Sequence, residues 1–188
     1  AIFKSSGDYI VLIDGDMILH KNFLQDHINN SEPGYFIQGS RVLLSEKKSR
    51  KILIDKKINI SFFSGGVKNR KNSIHSNFLS KIFLTKENNL KGIRSCNMSF
   101  YRRDCFNING FNNDFEGWGR EDSEFVVRLK NSGIKRKNIR FNAVQFHLWH
   151  NENPRISLET NDAMLKNAIN TGIQWCENGI NSIEHNES

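Results

Sequence analysis

The sequence predicts an α/β protein, because strand and helix patterns alternate along the chain. The first strand, Tyr9–Ile13, is a continuous apolar run typical of a strand buried on both faces. Helical spacing of apolar residues follows in Lys21–Asn30, and a second strand pattern in Tyr35–Leu44. The alternation continues with strands at Cys96–Tyr101 and Ile139–Leu148 and helices at Asn77–Phe83, Arg103–Asn107, Arg120–Asn131 and Ser157–Gly172. No linker or internal repeat divides it, so we expect residues 1–188 to form a single domain.

The segment from Ser45 to Ser76 departs from this alternation. It is polar, basic and only weakly periodic. We expect a mobile excursion from the domain, either a plain surface insertion or a loop that gates a substrate.

Composition narrows the class of protein. The chain has 188 residues, of which 37% are hydrophobic and 11% aromatic, as in globular proteins rather than disordered ones. No apolar run approaches the roughly 20 residues that cross a bilayer. Ala1 leads almost directly into the first strand without a signal peptide, so we expect the chain to begin inside a longer protein.

Cysteine usage and charge indicate where the protein works. Three cysteines without Cys-x-x-Cys spacing favour a reducing, cytoplasmic compartment and argue against a zinc knuckle. The net charge of +7 is concentrated in the runs Lys47–Lys51, Lys68–Lys71 and Lys135–Lys137. Such runs are either solvated loops or contacts for nucleic acid, acidic lipid or a phosphorylated substrate.

An acidic turn follows the first strand. Asp14-Gly15-Asp16 places two carboxylates at the carboxyl end of Tyr9–Ile13, where α/β proteins usually bind ligands. Such carboxylates suit magnesium or manganese bound to phosphates, although Asp-Gly-Asp is also an ordinary turn sequence.

A second candidate site combines glycines, tryptophan and acidic residues. Gly117-Trp118-Gly119 can present the indole from a sharp turn, because glycine permits backbone angles closed to other residues. Glu121, Asp122 and Glu124 then fall in the first turn of a helix, where carboxylates also act as caps.

His147 and His150 form the third candidate site. Two imidazoles three residues apart can bind one metal ion only if the backbone turns there, and a structural pair is the alternative.

Taken together, these segments resemble GT-A fold glycosyltransferases. Asn97-Met98-Ser99-Phe100 and Gly110-Phe111 complete the ordered set of motifs, which extends from Ser5 to about Pro154. The sequence is most similar to family 2 bacterial enzymes of lipopolysaccharide, capsule and chondroitin-like polymer synthesis. Its C-terminal segment is similar to that of β-1,4-galactosyltransferases. The resemblance implies a Rossmann-like mixed sheet flanked by helices.

The resemblance also implies an inverting reaction with a divalent cation and a nucleotide-sugar donor, in which UDP carries the sugar. The acceptor would be a saccharide or a lipid-linked glycan. The family pattern makes Asp16, His147 and His150 the metal ligands and Asp122 the catalytic base. Substrate contacts are implied for Asp14, Trp118, Gly119 and Glu121.

Two departures from the family pattern matter. Ser123 interrupts the acidic run that follows Glu-Asp in many relatives, which leaves the acceptor open. The strands that hold the nucleotide in the family should precede Asp14 by roughly a hundred residues, so we expect this chain to be the C-terminal part of a catalytic domain. The alternatives are a metal-dependent hydrolase and a nucleic-acid-binding domain, for which no motif is present. We further expect weak contact with the inner membrane surface through Lys47–Lys51 and Lys135–Lys137.

Overall fold

The computed structural model describes residues 1–87, 89–151 and 156–182, so Pro154 lies outside the described residues. Within these ranges two mixed sheets are flanked by helices, which confirms the predicted GT-A-like α/β fold. The strands are β1 Tyr9–Leu12, β2 Met17–Leu19, β3 Tyr35–Gln38, β4 Val42–Leu44, β5 Val67–Lys68, β6 Thr85–Glu87, β7 Met98–Tyr101, β8 Lys135–Asn138 and β9 Gln145–His147. The helices are α1 Phe23–Asn30, α2 Glu46–Asp55, α3 Asn77–Phe83, α4 Arg102–Phe106, α5 Glu121–Asn131 and α6 Leu158–Thr171, with short 3₁₀ turns at Arg70–Ser73 and Ser95–Asn97.

The first sheet has the strand order β1-β7-β3-β8-β6. β1 runs antiparallel to β7, with Leu12 opposite Met98, whereas β3 and β8 are parallel. The second sheet has the order β2-β9-β4-β5, and Met17 of β2 lies opposite His147 of β9. The residues of the candidate cation site lie at the ends of β2 and β9 in this second sheet, or just beyond them.

Both faces of β1 pack on apolar side chains, as the sequence predicts. Ile10 and Leu12 contact the cluster that includes Phe100 and Phe125, and the alternate residues Tyr9 and Val11 contact the cluster on the opposite face. Because β1 is an edge strand in the described part of the chain, only Ile10 is fully buried. Three free cysteines, Cys96, Cys105 and Cys176, are all buried.

The predicted strand Tyr35–Leu44 is wrong as one element. The chain leaves β3 at Gly39 and enters β4 in the other sheet. A side chain at Gly39 would overlap the amide group of Asn97, so this residue allows the close crossing between the sheets.

The predicted strand Ile139–Leu148 is also corrected. Only its last part, β9, is a strand, and the preceding strand is β8, in the basic run Lys135–Lys137. Arg136 and Lys137 are buried there. Arg136 Nη1 donates to the carbonyl oxygen of Lys91 at 2.8 Å, and Lys137 Nζ donates to that of Asn30 at 2.8 Å. These two cations are therefore occupied within the fold, whereas Lys135 is exposed, and the membrane contact through Lys135–Lys137 stays a prediction.

The segment from Ser45 to Ser76 contains regular structure rather than a long irregular excursion. The hydroxyl of Ser45 accepts a hydrogen bond from the backbone N–H of Lys48 and caps α2. Ile52 of α2 and Val67 of β5 then join the core of the second sheet. Within α2 only Ser49 and Ile52 are buried, too few to produce a visible period, which is why the sequence pattern missed this helix. Among the described helices, none has the length and apolar character to cross a bilayer.

Candidate active site

The pairing of β2 with β9 assembles a cluster of three metal-binding side chains. The backbone N–H of Leu148 donates to the carbonyl oxygen of Asp16 at 3.0 Å, which places Asp16 beside the residues that follow β9. Asp16 Oδ2 lies 3.2 Å from His147 Nε2 and 3.0 Å from His150 Nε2. One potential ligand atom from each of these residues lies within 4.8 Å of the other two. The structure thus brings together the three residues that the sequence suggested as metal ligands.

The hydrogen bonds of the cluster fit a bound cation. His150 Nδ1 must donate to the carbonyl oxygen of Asn151, 2.7 Å away, because a carbonyl oxygen can only accept. In a neutral ring, Nε2 then carries a lone pair that faces the Asp16 carboxylate. Asp16 Oδ1 is buried and has no hydrogen-bond partner among the described residues. A proton or a divalent cation relieves such opposed acceptors, and one carboxylate with two imidazoles is a donor set that divalent metals accept.

Asp14 lies next to this cluster but outside the set of three. Partial burial and then the charge of Asp16 raise the pKa of its carboxyl group. The side chain is exposed, so its oxygens face solvent rather than the core.

Arg41 is a residue of the site that the sequence analysis missed. Its Nη1 lies 4.0 Å from Cys96 Sγ, and its charge opposes the rise in the pKa of Asp14. Burial lowers the pKa of His147, and among the charges that lower it further is Arg41. The only signal in the sequence is its position just after Gly39, where the chain crosses between the sheets, and a single arginine there is no motif.

Backbone conformation and a buried amide fix the loop that carries Trp118. Gly117 and Gly119 have φ of 71° and 107°, in the region that favours glycine. Asn161 of α6, only 2% exposed, donates from Nδ2 to the carbonyl oxygens of Glu116 and Gly119 at 3.1 and 2.9 Å. The indole of Trp118 itself is 43% exposed. The tail helix therefore holds the loop in place, a role that sequence periodicity did not reveal.

Asp122 starts α5 in a partly enclosed position. Burial raises the pKa of its carboxyl group, the charge of Glu121 raises it further, and hydrogen bonds from the backbone N–H groups of Ser123 and Ser95 oppose the rise. The neighbouring Glu121 has one buried carboxylate oxygen, Oε2, without a hydrogen-bond partner in the described part of the chain. Glu121 and Asp122 together place two carboxylates at the start of this helix.

Glu124 has a different role from its acidic neighbours. Its carboxylate accepts two hydrogen bonds from the Arg128 guanidinium, at 2.6 and 2.8 Å, and both side chains are almost completely buried. Arg128 Nη1 also donates to the carbonyl oxygen of Ile108 at 2.5 Å. Glu124 is therefore a structural residue.

The cation cluster and Asp122 lie at the same end of the first sheet. Because Leu12 pairs with Met98, the turn Ser95–Asn97 lies at the carboxyl end of β1 and contacts that strand. Asp14 follows β1 at this end, and the backbone N–H of Ser95 lies close enough to the Asp122 carboxylate to lower its pKa. A candidate cation site and a carboxylate with a raised pKa therefore lie at one end of this sheet, where a cation could stabilise a departing phosphate and the carboxylate could accept a proton.

Comparison with known protein families supports this interpretation. Residues 81–151 match the model of a family described as the N-terminal domain of galactosyltransferase. A search of curated proteins gives no match. The matched segment contains Trp118, Asp122, His147 and His150, three of which the sequence analysis assigned to catalysis or metal binding. Together with the α/β fold, this match indicates that the protein is a glycosyltransferase.

Proposed function

We propose that the protein transfers a sugar, with inversion at the anomeric carbon, from a UDP-linked donor to a hydroxyl group of a saccharide or lipid-linked acceptor in cell-surface polysaccharide synthesis. The observation that carries the proposal is the joint position of the Asp16, His147 and His150 cluster and of Asp122 at the carboxyl end of β1. Each part has a separate task, one at the leaving group and one at the attacking hydroxyl.

The cation cluster would stabilise the leaving group. Asp16, His147 and His150 would hold the ion, and Asp14 lies close enough to contact the nucleotide. A divalent cation supplies positive charge to the departing diphosphate. The two imidazoles favour manganese over magnesium, because magnesium prefers oxygen ligands in a strict octahedral arrangement.

Asp122 would remove the proton from the attacking hydroxyl. A carboxylate accepts the acceptor proton more readily when its pKa rises toward the working pH, and burial with the Glu121 charge produces such a rise. A direct attack that needs one base and forms no covalent enzyme intermediate inverts the anomeric centre. Asp122 Oδ is therefore the proposed site to which the proton moves.

The loop that precedes α5 would bind the acceptor sugar. Trp118 offers a partly exposed indole face on which the C–H groups of a sugar can pack, and Gly119 and Glu121 lie on either side of the turn into the helix. Asn161 fixes this loop from behind, so the indole position does not depend on the acceptor.

A contact with an anionic membrane surface would involve mainly α2, with the exposed Lys135 as a further cation. Lys47, Arg50 and Lys51 are exposed on that helix, in contrast to Arg136 and Lys137. We propose that α2 contacts the cytoplasmic face of the membrane weakly.

The test is turnover of a panel of nucleotide sugars with manganese, comparing the full-length protein with its Asp122→Asn variant. We expect kcat to fall by about a hundredfold or more while donor affinity, measured by calorimetry, stays nearly unchanged. The exposed Asp55→Asn serves as the matched control and should behave as the unchanged protein. Normal turnover with weakened donor binding would make Asp122 a binding residue, and sugar release without an acceptor would favour the hydrolase alternative.

A further inference from the structure

A cavity of about 390 Å³ lies at the carboxyl ends of the parallel strands β3 and β8. Gln38 and Asn138, the last residues of these strands, line it, as do four arginines. We call it the arginine cavity after those four residues, Arg41, Arg94, Arg136 and Arg140. Ligands of α/β proteins commonly bind at this end of parallel strands, so its position alone makes it a candidate binding site.

The positive charge of the arginine cavity is not neutralised by the protein. In the described ranges, none of the four guanidinium groups forms a salt bridge within 4.0 Å. The one carboxylate that lines the cavity, Glu87, accepts a hydrogen bond from Asn89 Nδ2 at 2.6 Å. Four cations with one anion leave an excess of three positive charges, and walls of protein concentrate their potential in the enclosed space.

One of these arginines is fixed and others are free to move toward a ligand. Arg136 is 5% exposed, and its Nη1 donates to the carbonyl oxygens of Asn89 and Lys91. Burial lowers the pKa of Arg136, and the charge of Arg94 lowers it further. The side chain of Arg94 is exposed, and among the described residues its guanidinium group makes only one hydrogen bond, a long one of 3.5 Å to the carbonyl oxygen of Gly92. A buried cation beside movable guanidinium groups suits a planar or tetrahedral anion, which such groups can grip with two hydrogen bonds.

The arginine cavity adjoins the active site on the side away from β1. Arg41 connects it to Asp14 and His147, and Arg94 immediately precedes Ser95, whose backbone N–H donates to Asp122. In the first sheet, β3 and β8 lie two and three strands from β1. At a strand spacing of about 4.8 Å, this displacement is roughly 10 to 14 Å. Arg41 lies on the side of the cavity toward the cation cluster, and Arg94 on the side toward Asp122. Because the cation cluster is the proposed site of the donor diphosphate, we assign an anion in the cavity to the acceptor.

We propose that the arginine cavity binds an anionic group of the acceptor, so that the acceptor is an acidic saccharide, while the reacting hydroxyl reaches Asp122. This inference rests on the proposed function. The anion is either the carboxylate of an acidic sugar or a phosphate carried by the acceptor, and both present the oxygens that guanidinium groups recognise. Arg94 and Arg140, exposed at the cavity, are the proposed first contacts.

The test measures binding to the full-length protein by calorimetry in the presence of manganese and UDP. The probes are a short oligosaccharide that contains glucuronic acid, its neutral methyl ester and a sugar phosphate. We expect at least one anionic probe to bind about tenfold or more tightly than the ester, and Arg94→Gln to weaken that binding by about tenfold, the loss of one charge-assisted contact. The control Arg50→Gln removes the same charge from α2, far from the cavity lining, and should leave the affinity unchanged.

The outcomes separate the sources and the two proposals. Arg94-dependent binding of the glucuronate probe identifies the carboxylate, and Arg94-dependent binding of the sugar phosphate alone identifies the phosphate. Binding of the anionic probes that does not depend on Arg94, absence of binding by both anionic probes, or an equal effect of Arg50→Gln overturns the inference. The titration of UDP with manganese is read separately. Intact UDP binding with no acid binding refutes the cavity alone, whereas lost UDP binding refutes the proposed function.

Discussion

Asp16→Asn removes the charged member of the cation cluster and should nearly abolish manganese binding. The variant keeps the size of the side chain but leaves two neutral imidazoles, with ring centres 5.1 Å apart, to hold a divalent ion. Loss of an outer partner of a metal ligand typically weakens affinity by about 10 to 100-fold, so loss of the ligand itself should cost at least about a hundredfold.

This loss has a measurable thermal signature. At a manganese concentration of about 100 times the dissociation constant, binding stabilises the unchanged protein by about 2.7 kcal/mol. The same concentration would stabilise the variant by only about 0.4 kcal/mol. For a domain of this size about 1 kcal/mol moves Tm by 2 to 4 °C, so we expect shifts of about 5 to 10 °C and about 1 °C, respectively.

Differential scanning calorimetry with and without manganese checks the prediction. Asp55→Asn, an exposed carboxylate on α2, is the matched control and should retain the full shift. Adding UDP should enlarge the shift only in proteins that keep Asp16, because the diphosphate completes the coordination of the ion. An Asp16→Asn protein with the full manganese shift would refute the ligand assignment, and so would a control that loses it.

Three further predictions concern the acceptor loop and the core. Trp118→Ala should raise the acceptor KM with little change in kcat, because it removes packing area from a partly exposed ring; a fall in kcat alone in steady-state assays would contradict this. Burial lowers the pKa of His27 to about 4, so the unfolded state binds a proton that the folded state refuses, and the free energy of unfolding should fall by about 3 kcal/mol as pH drops from 6.5 toward 4. Urea unfolding across this range should show a flatter profile in His27→Gln, and an unchanged profile would exclude His27 as the cause. Glu124→Gln should cost about 3 to 5 kcal/mol in denaturant unfolding, because it leaves the buried Arg128 charge without its anion; a loss below about 1 kcal/mol would show that the pair is not coupled.

Local patterns were sufficient where the periodicity of an element is visible in its own residues. α3 has the bounds that its sequence predicts, α5 begins one residue later than predicted, and α6 is one residue shorter at each end. In α5 the buried residues Phe125, Val126 and Leu129 repeat at helical spacing, so the core-facing side is visible in the sequence. The same holds for β1, whose two apolar faces meet two different clusters.

Patterns failed where distant segments decide the local structure. The chain passes from one sheet to the other at Gly39, where the Asn97 amide packs closely against the backbone. Nothing in the sequence indicates that these two residues are in contact. The basic residues Arg136 and Lys137 form a buried strand because carbonyl groups of Asn89, Lys91 and Asn30 receive their charges. From the sequence alone, a run of charged residues predicts solvated surface, because its long-range hydrogen-bond partners are not visible.

The candidate site divides in the same way. The sequence by itself determined which side chains could bind a metal or move a proton, because Asp16, Asp122 and the two histidines carry that chemistry wherever they lie. Only the tertiary structure decided that β2 and β9 pair in the register that joins Asp16 to His147 and His150, and that burial raises the pKa of Asp122. It also decided that four arginines, from position 41 to position 140, line one cavity. Ligand geometry and local potential depend on distances through space, and those distances follow from strand pairing rather than from spacing along the chain.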